Sequence, residues 1–185
     1  MTPIPGGPRP VAASARPTRV LGIDPGTRRL GWGVVHRVGT KLVHVAHDVI
    51  HAPETLTLGE RLVILERELV RVVEAHEVDA ASVEALFFAK DAQAAAKLGH
   101  ARGVALLVCA RAGLATFEYP PARVKRTTTG HGRADKKQVA EMMRVVLGLG
   151  HAPPSDATDA LALAVTHLQS MPIFVARPPA PRLNR

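Results

Sequence analysis

The 185-residue chain holds a single cysteine, Cys109, so no disulfide can close within it. Without a disulfide framework the expected setting is a reducing cytoplasm, and Cys109, in an alanine-rich apolar stretch, reads as a small buried hydrophobe. No apolar run approaches the roughly 18 residues that span a bilayer. The N-terminal residues lack the apolar core of a secretory leader. Acids are missing from both ends: residues 1–19 and 170–185 each carry three arginines and no carboxylate. Absent too are a Walker A loop, a G-x-S-x-G elbow and an H-E-x-x-H helix. P-loop phosphotransfer, serine hydrolysis of the elbow type and zincin chemistry are therefore excluded as readings.

What is present is unevenly distributed. The net charge is +8, of which the two ends supply +6. Residues 20–84 come to −3 and 145–169 to −2, whereas 85–144 hold eleven Lys or Arg against four acids. One part is acidic and another basic, which fits a polyanion attracted by one region and processed by carboxylates in the other. A plainly soluble basic surface is the bland alternative.

Residues 1–18, rich in Pro and Gly, read as a disordered extension, and the Pro/Arg-rich residues 170–185 as a disordered tail. Between them, 19–169 is expected to form one domain. Its pivot is Val20-Leu21-Gly22-Ile23-Asp24-Pro25-Gly26-Thr27, an apolar β-branched run stopped by Asp-Pro-Gly. The pattern predicts strands over about 19–24, 31–37 and 41–50, the last two joined by a hairpin at Gly39-Thr40. Spacing of three and four from Leu58 to Val73 predicts an amphipathic helix over about 56–76. A short strand follows over about 78–84. Strand, crossover helix and strand favour parallel pairing beside the first strand, which brings Glu84 to the sheet edge that holds Asp24. Further on come a helix at about 91–112, a strand at 115–119 and a short helix near 122–128. A helix at 135–147 and a largely buried helix opened by Ser155 as N-cap complete the set.

In that last helix Asp156 and Asp159 lie three apart, hence on one face. Taken singly the acids have plain explanations: Asp24 before Pro25 can initiate a turn, and Asp156 and Asp159 suit a helix first turn. Together, Asp24, Glu84, Asp156 and Asp159 make four carboxylates with no neutralising base near them in sequence. Like charges gathered in a cleft repel unless a cation sits among them. Oxygen-only ligation favours Mg²⁺ or Mn²⁺ over zinc, and two such ions can stabilise the attacking and leaving oxygens of a phosphoryl displacement. Metal-dependent phosphodiester chemistry is the resulting expectation.

From about Val20 to His167 the chain also resembles the RuvC family of Holliday junction resolvases. The resemblance is carried by Leu21-Gly22-Ile23-Asp24-Pro25-Gly26-Thr27, Val83-Glu84-Ala85-Leu86-Phe87-Phe88-Ala89-Lys90 and Ala96-Lys97-Leu98-Gly99-His100-Ala101-Arg102-Gly103. Phe117-Glu118-Tyr119, Val124-Lys125, the run from Gly130 to Val139, and Asp156-Ala157-Thr158-Asp159-Ala160-Leu161-Ala162 continue it. A collinear series of this kind is far more specific than Asp-x-Gly-Thr alone. It implies an α/β RNase H-like fold with a five-stranded mixed sheet flanked by helices on both faces. It also implies a homodimer, Mg²⁺- or Mn²⁺-dependent cleavage of four-way DNA junctions by paired symmetric nicks, and cooperation with the RuvA–RuvB branch-migration complex.

The family's acidic ligands fall on Asp24, Glu84, Asp156 and Asp159, its active-site lysines on Lys125 and Lys136, and its junction-contacting aromatic on Phe87. By physics alone Phe87 could equally be core; an aromatic three residues past a catalytic Glu can instead stack on an opened base. Arg102, Arg123, Arg126, Arg133 and Lys137 are candidate contacts to the DNA backbone. The resemblance further places the helix bearing Gly99 and Gly103 at the dimer interface. Ala85, Asp91 and His100 depart from the family pattern, and none is among the four acids.

Three rivals stand beside this reading. Another nuclease or strand-transfer enzyme on the same fold would share the acids. An actin-like ATP-binding protein also has a strand ending in Asp-x-Gly-Thr, but needs a duplicated domain for which 185 residues leave no room. A junction-binding protein that does not cut is opposed by the presence of all four acids.

Overall fold

The computed structural model describes residues 18–85 and 92–171. The extension and tail expected over 1–18 and 170–185 lie almost wholly outside the described residues, as do Phe87 and Asp91. Ten elements follow in order: β1 (Arg19–Asp24), β2 (Arg29–Val38), β3 (Lys41–His51), α1 (Leu58–His76), β4 (Ala80–Glu84), α2 (Ala92–Arg111), β5 (Ala115–Tyr119), α3 (Pro121–Thr129), α4 (Lys136–Val146) and α5 (Ser155–Ser170). The strands form one sheet in the order β3-β2-β1-β4-β5. β1, β2 and β3 pair antiparallel, while β4 and β5 run parallel to β1. The expected parallel crossover through α1 is thus present.

Two apolar cores lie on opposite faces of the sheet. On one, Leu21, Ile23 and Val83 pack with Leu65 and Leu69 of α1 and with Ala101, Ala105 and Cys109 of α2. On the other, Val20 and Val35 pack with Val139 and Met143 of α4 and with Leu161, Val165 and Leu168 of α5. Cys109 is buried, as its surroundings in sequence suggested. The alternation of β3 is broken by a bulge: Val34 pairs with Ala46 but Val35 with His44, leaving Val45 as the extra residue. A bulge shifts later side chains to the opposite face, so His44 and His47 share one, with Nε2 and Nδ1 2.7 Å apart.

Helix entries are set by local chemistry. Thr57 and Glu60 form a capping box ahead of α1, and Asp135 and Gln138 form one ahead of α4. The expected cap at Ser155 is corrected. Ser155 is the first helical residue, Pro154 holds the cap position, and no side chain caps the helix. Instead the Thr158 hydroxyl, one turn in, donates to the Pro153 carbonyl at 3.1 Å. Proline fits because its missing N–H would have no partner at a helix start.

α5 lies directly on β1 and β2. A Cβ added to Gly22 would overlap the carbonyl oxygen of Ala160, and one on Gly31 would overlap that of Asp156. Only glycine lets helix and strand backbones approach so closely. Leu161, Leu163 and Leu168 are buried behind this contact, each contributing about 2 kcal/mol by burial. That apolar anchorage holds the helix in place even though its first turn brings like charges together.

Candidate active site

Four acids are delivered to one edge of the sheet by three routes. β1 and β4 pair in parallel up to Ile23 and Val83, so Asp24 and Glu84 end neighbouring strands side by side. α5 enters over the same edge, its Asp156 carbonyl against Gly31, which pairs with Asp24 across β1 and β2. Asp159 follows Asp156 by one turn. Asp24, Glu84 and Asp159 line a cleft of about 340 Å³, together with Lys125 of α3, Lys136 of α4 and an apolar wall that includes Val124 and Leu163. Asp156 stands beside this cleft rather than on its wall. Its charge is nonetheless felt by Asp24 and by Lys136.

The electrostatics follow from that crowding. Burial, and then the charges of Asp159, Glu84 and Asp156, push the Asp24 carboxyl up to about 7, with Lys136 opposing. Burial and Asp159 likewise raise Glu84 above the usual carboxylate range, against Lys136 and Lys125. Lys136 is raised in turn, chiefly by Asp159, to which its Nζ lies 3.2 Å away. Asp156 is approached by Arg29 of β2, with Nε 2.7 Å from Oδ2. That oxygen is buried and accepts no hydrogen bond from the described residues, so the contact is one of charge without hydrogen-bond alignment.

This site fits a hard divalent cation. Its donors are all carboxylate oxygens, one of them is buried without a hydrogen bond, and its negative charge exceeds that of the two lysines in the cleft. Among the described residues no three His, Cys, Asp or Glu side chains are grouped so as to hold an ion as they stand; Asp159 is engaged by Lys136 and Asp156 by Arg29.

The expected basic residues separate into groups. Lys125 and Lys136 reach the cleft, and Lys137 lines a smaller hollow beside Lys136 and Asp159. Arg126 and Arg133 are exposed on α3 and on the loop to α4. Arg123 is turned elsewhere: its guanidinium lies 5.2 Å from the Tyr119 ring centroid and donates to Ser170 Oγ at the far end of α5. Arg102 requires a correction. It is only 7 % exposed, forms an ion pair with Glu118 and donates to the Glu84 carbonyl. A phosphate contact needs a side chain at the surface, and this one is packed between α2 and the sheet.

Two features of the site were not read from the sequence. Arg29 opens β2 directly after Arg28, where no periodicity marks it. The seating of α5 on Gly22 and Gly31 depends on a helix about 130 residues further along the chain, a contact that no local pattern announces.

A family profile described as "Crossover junction endodeoxyribonuclease RuvC" matches residues 20–167. The RuvC of Sorangium cellulosum is 59 % identical over 152 residues, covering 82 % of this chain and 85 % of that protein. The RuvC of Rhodopseudomonas palustris strain BisA53 is 47 % identical over 152 residues, covering 82 % and 87 %. Among solved structures, T. thermophilus RuvC in complex with a Holliday junction substrate is 37 % identical, with a TM-score of 0.77 over 82 % of this chain and 93 % of that one. The mixed sheet, its strand order and the helices on both faces are the expected RNase H-like fold. The chain belongs to the RuvC family of crossover junction endodeoxyribonucleases.

Proposed function

We propose that this chain resolves four-way DNA junctions in recombination and repair by paired, symmetric nicks, using Mg²⁺ or Mn²⁺, with two ions per site. The observation that carries this reading is the meeting of Asp24, Glu84 and Asp159 in one cleft with Asp156 beside it. These four side chains would hold the ions. When bound, the ions supply an activated water and stabilise the leaving oxygen. Lys125 and Lys136, in the same cleft, bring positive charge to the scissile phosphate. Arg126, Arg133 and Lys137 extend that charge along the same side for the flanking backbone. Phe87 is assigned to the opened junction on family resemblance alone.

Paired cuts need two sites related by a twofold axis. On α2, a Cβ at Gly99 or Gly103 would meet nothing within 4 Å among the described residues, and Leu107, one turn on, is 47 % exposed. This open stripe supports α2 as the face that meets a second copy. The chemistry is assigned to residues 19–169, and the RuvA–RuvB complex is the partner that would deliver the junction. No helix among the described residues is long and apolar enough to cross a membrane. A cytoplasmic setting is part of this proposal.

The test is a synthetic mobile four-way junction offered beside a linear duplex of the same sequence, with Mg²⁺ and with Mn²⁺. Two symmetric nicks in the junction and an intact duplex are expected. Asp24→Asn should abolish cutting while junction binding stays nearly intact. Cutting of the duplex at a comparable rate would favour another nuclease on this fold, and undiminished cutting by Asp24→Asn would remove that residue from the chemistry.

A further inference from the structure

Arg102 belongs to the basic half of the chain, yet the fold withdraws it from solvent; its side chain is 8 % exposed. A guanidinium keeps its charge in any protein environment, and such a charge persists in the interior only when its donors are satisfied. Both ends of the fork are used. Nη2 lies 2.6 Å from Glu118 Oε1 on β5, and Nη1 donates to the main-chain carbonyl of Glu84, the last residue of β4, at 3.3 Å. A single side chain from α2 thus spans the ends of two neighbouring strands. Glu84 pairs with Tyr119 there, and the Ala85 N–H donates to the Tyr119 carbonyl at 3.0 Å. The Glu84 side chain itself faces the cleft.

We propose that Arg102 is a positioning residue for the Glu84 carboxylate rather than a contact to DNA. Holding the Glu84 carbonyl and Glu118 with one rigid fork sets where β4 ends, and so where the carboxylate stands relative to Asp24 and Asp159. Arginine suits this task and lysine does not, because only a planar fork can serve a carbonyl and a carboxylate on different strands at fixed spacing. The inference rests on the metal-dependent nuclease reading given above.

The test uses the full chain with Arg102→Lys, which keeps the charge and loses the fork, and Glu118→Gln, which weakens the ion pair and leaves the Glu84 bond. Both are compared with the wild type for Mn²⁺ binding by calorimetry, Mn²⁺ dependence of cleavage, junction affinity without divalent ions, and folding by circular dichroism. Arg102→Lys should keep its junction affinity and salt slope while its Mn²⁺ affinity falls about tenfold, the scale expected when a partner orienting a ligand is lost. Glu118→Gln should fall between the two. Weaker junction binding with a shallower salt slope in Arg102→Lys would identify a phosphate contact and overturn the inference. Unchanged Mn²⁺ binding in both variants would overturn it too. A wild type that cuts no junction would strike at the nuclease reading, whereas a cutting wild type matched by both variants would strike at the role of Arg102 alone.

Discussion

Arg29 Nε stands 2.7 Å from Asp156 Oδ2, a cation from the second strand set against an acid from the first turn of the last helix. The arginine side chain is 55 % exposed and the aspartate 26 %, so the pair is worth about 1 kcal/mol or less. That is enough to neutralise Asp156 beside three other acids, and little enough for a divalent ion to displace. Arg29→Ala should therefore bind Mn²⁺ up to about fivefold more tightly, measured by calorimetry on the metal-free protein. Equal or weaker binding would show that Arg29 does not compete with the ion.

The seat of α5 can be tested separately from its charges. In Gly31→Ala the added methyl must move the helix backbone at Asp156, since the overlapping atom belongs to the main chain and not to a flexible side chain. Overpacking of this kind costs about 1–3 kcal/mol, readable as a lower urea midpoint. Mn²⁺ affinity should fall as well, because Asp156 and Asp159 are carried away from Asp24. A variant as stable as the wild type with unaltered Mn²⁺ binding would show that the helix has room to spare.

Lys125 lines the cleft with the acids, and its charge acts against the upward shift of the Glu84 carboxyl. If it meets a phosphate, Lys125→Ala should weaken junction binding and lower the slope of log affinity against log salt by about 0.9, one released counterion. Junction titrations at several salt concentrations measure this. An unchanged slope would place Lys125 off the DNA.

A pH dependence of folding is expected from the buried end of α5. His167 is 1 % exposed, with Nδ1 2.8 Å from the Tyr119 hydroxyl and the Phe117 ring 4.2 Å away. Burial, and then the charge of Arg37, lower its imidazole to about 4 from the usual 6.5. Above about pH 6.5 both folded and unfolded states carry it neutral, and its contribution is intact. As pH falls toward 4 the unfolded chain takes up the proton and the folded one does not. Stability should then drop by up to about 1.4 kcal/mol per pH unit from this residue. Urea midpoints at pH 7, 6 and 5 test this, and His167→Gln should flatten the part of the slope due to His167.

Local chemistry determined much of this protein by itself. Strand ends at Asp-Pro-Gly, hairpin glycines, apolar spacing of three and four, and the rule that a strand, crossover helix and strand run parallel are short-range or topological constraints. They sufficed for the five strands, the sheet's mixed pairing and the placing of Asp24 beside Glu84. The four acids were legible because carboxylates gathered at one sheet edge call for a cation among them, and because the stretches that carry them are distinctive.

Tertiary structure alone decided which charges meet. Arg102 and Lys125 both read as cations of one basic segment. Burial turned the first inward onto Glu84 and Glu118 and left the second facing the cleft, a division that depends on which side of α2 and α3 the sheet covers. The same holds for Arg29 against Asp156 and for Gly22 and Gly31 beneath α5. Each pairs residues more than a hundred positions apart, and the energy that brings them together comes from the apolar side chains around them.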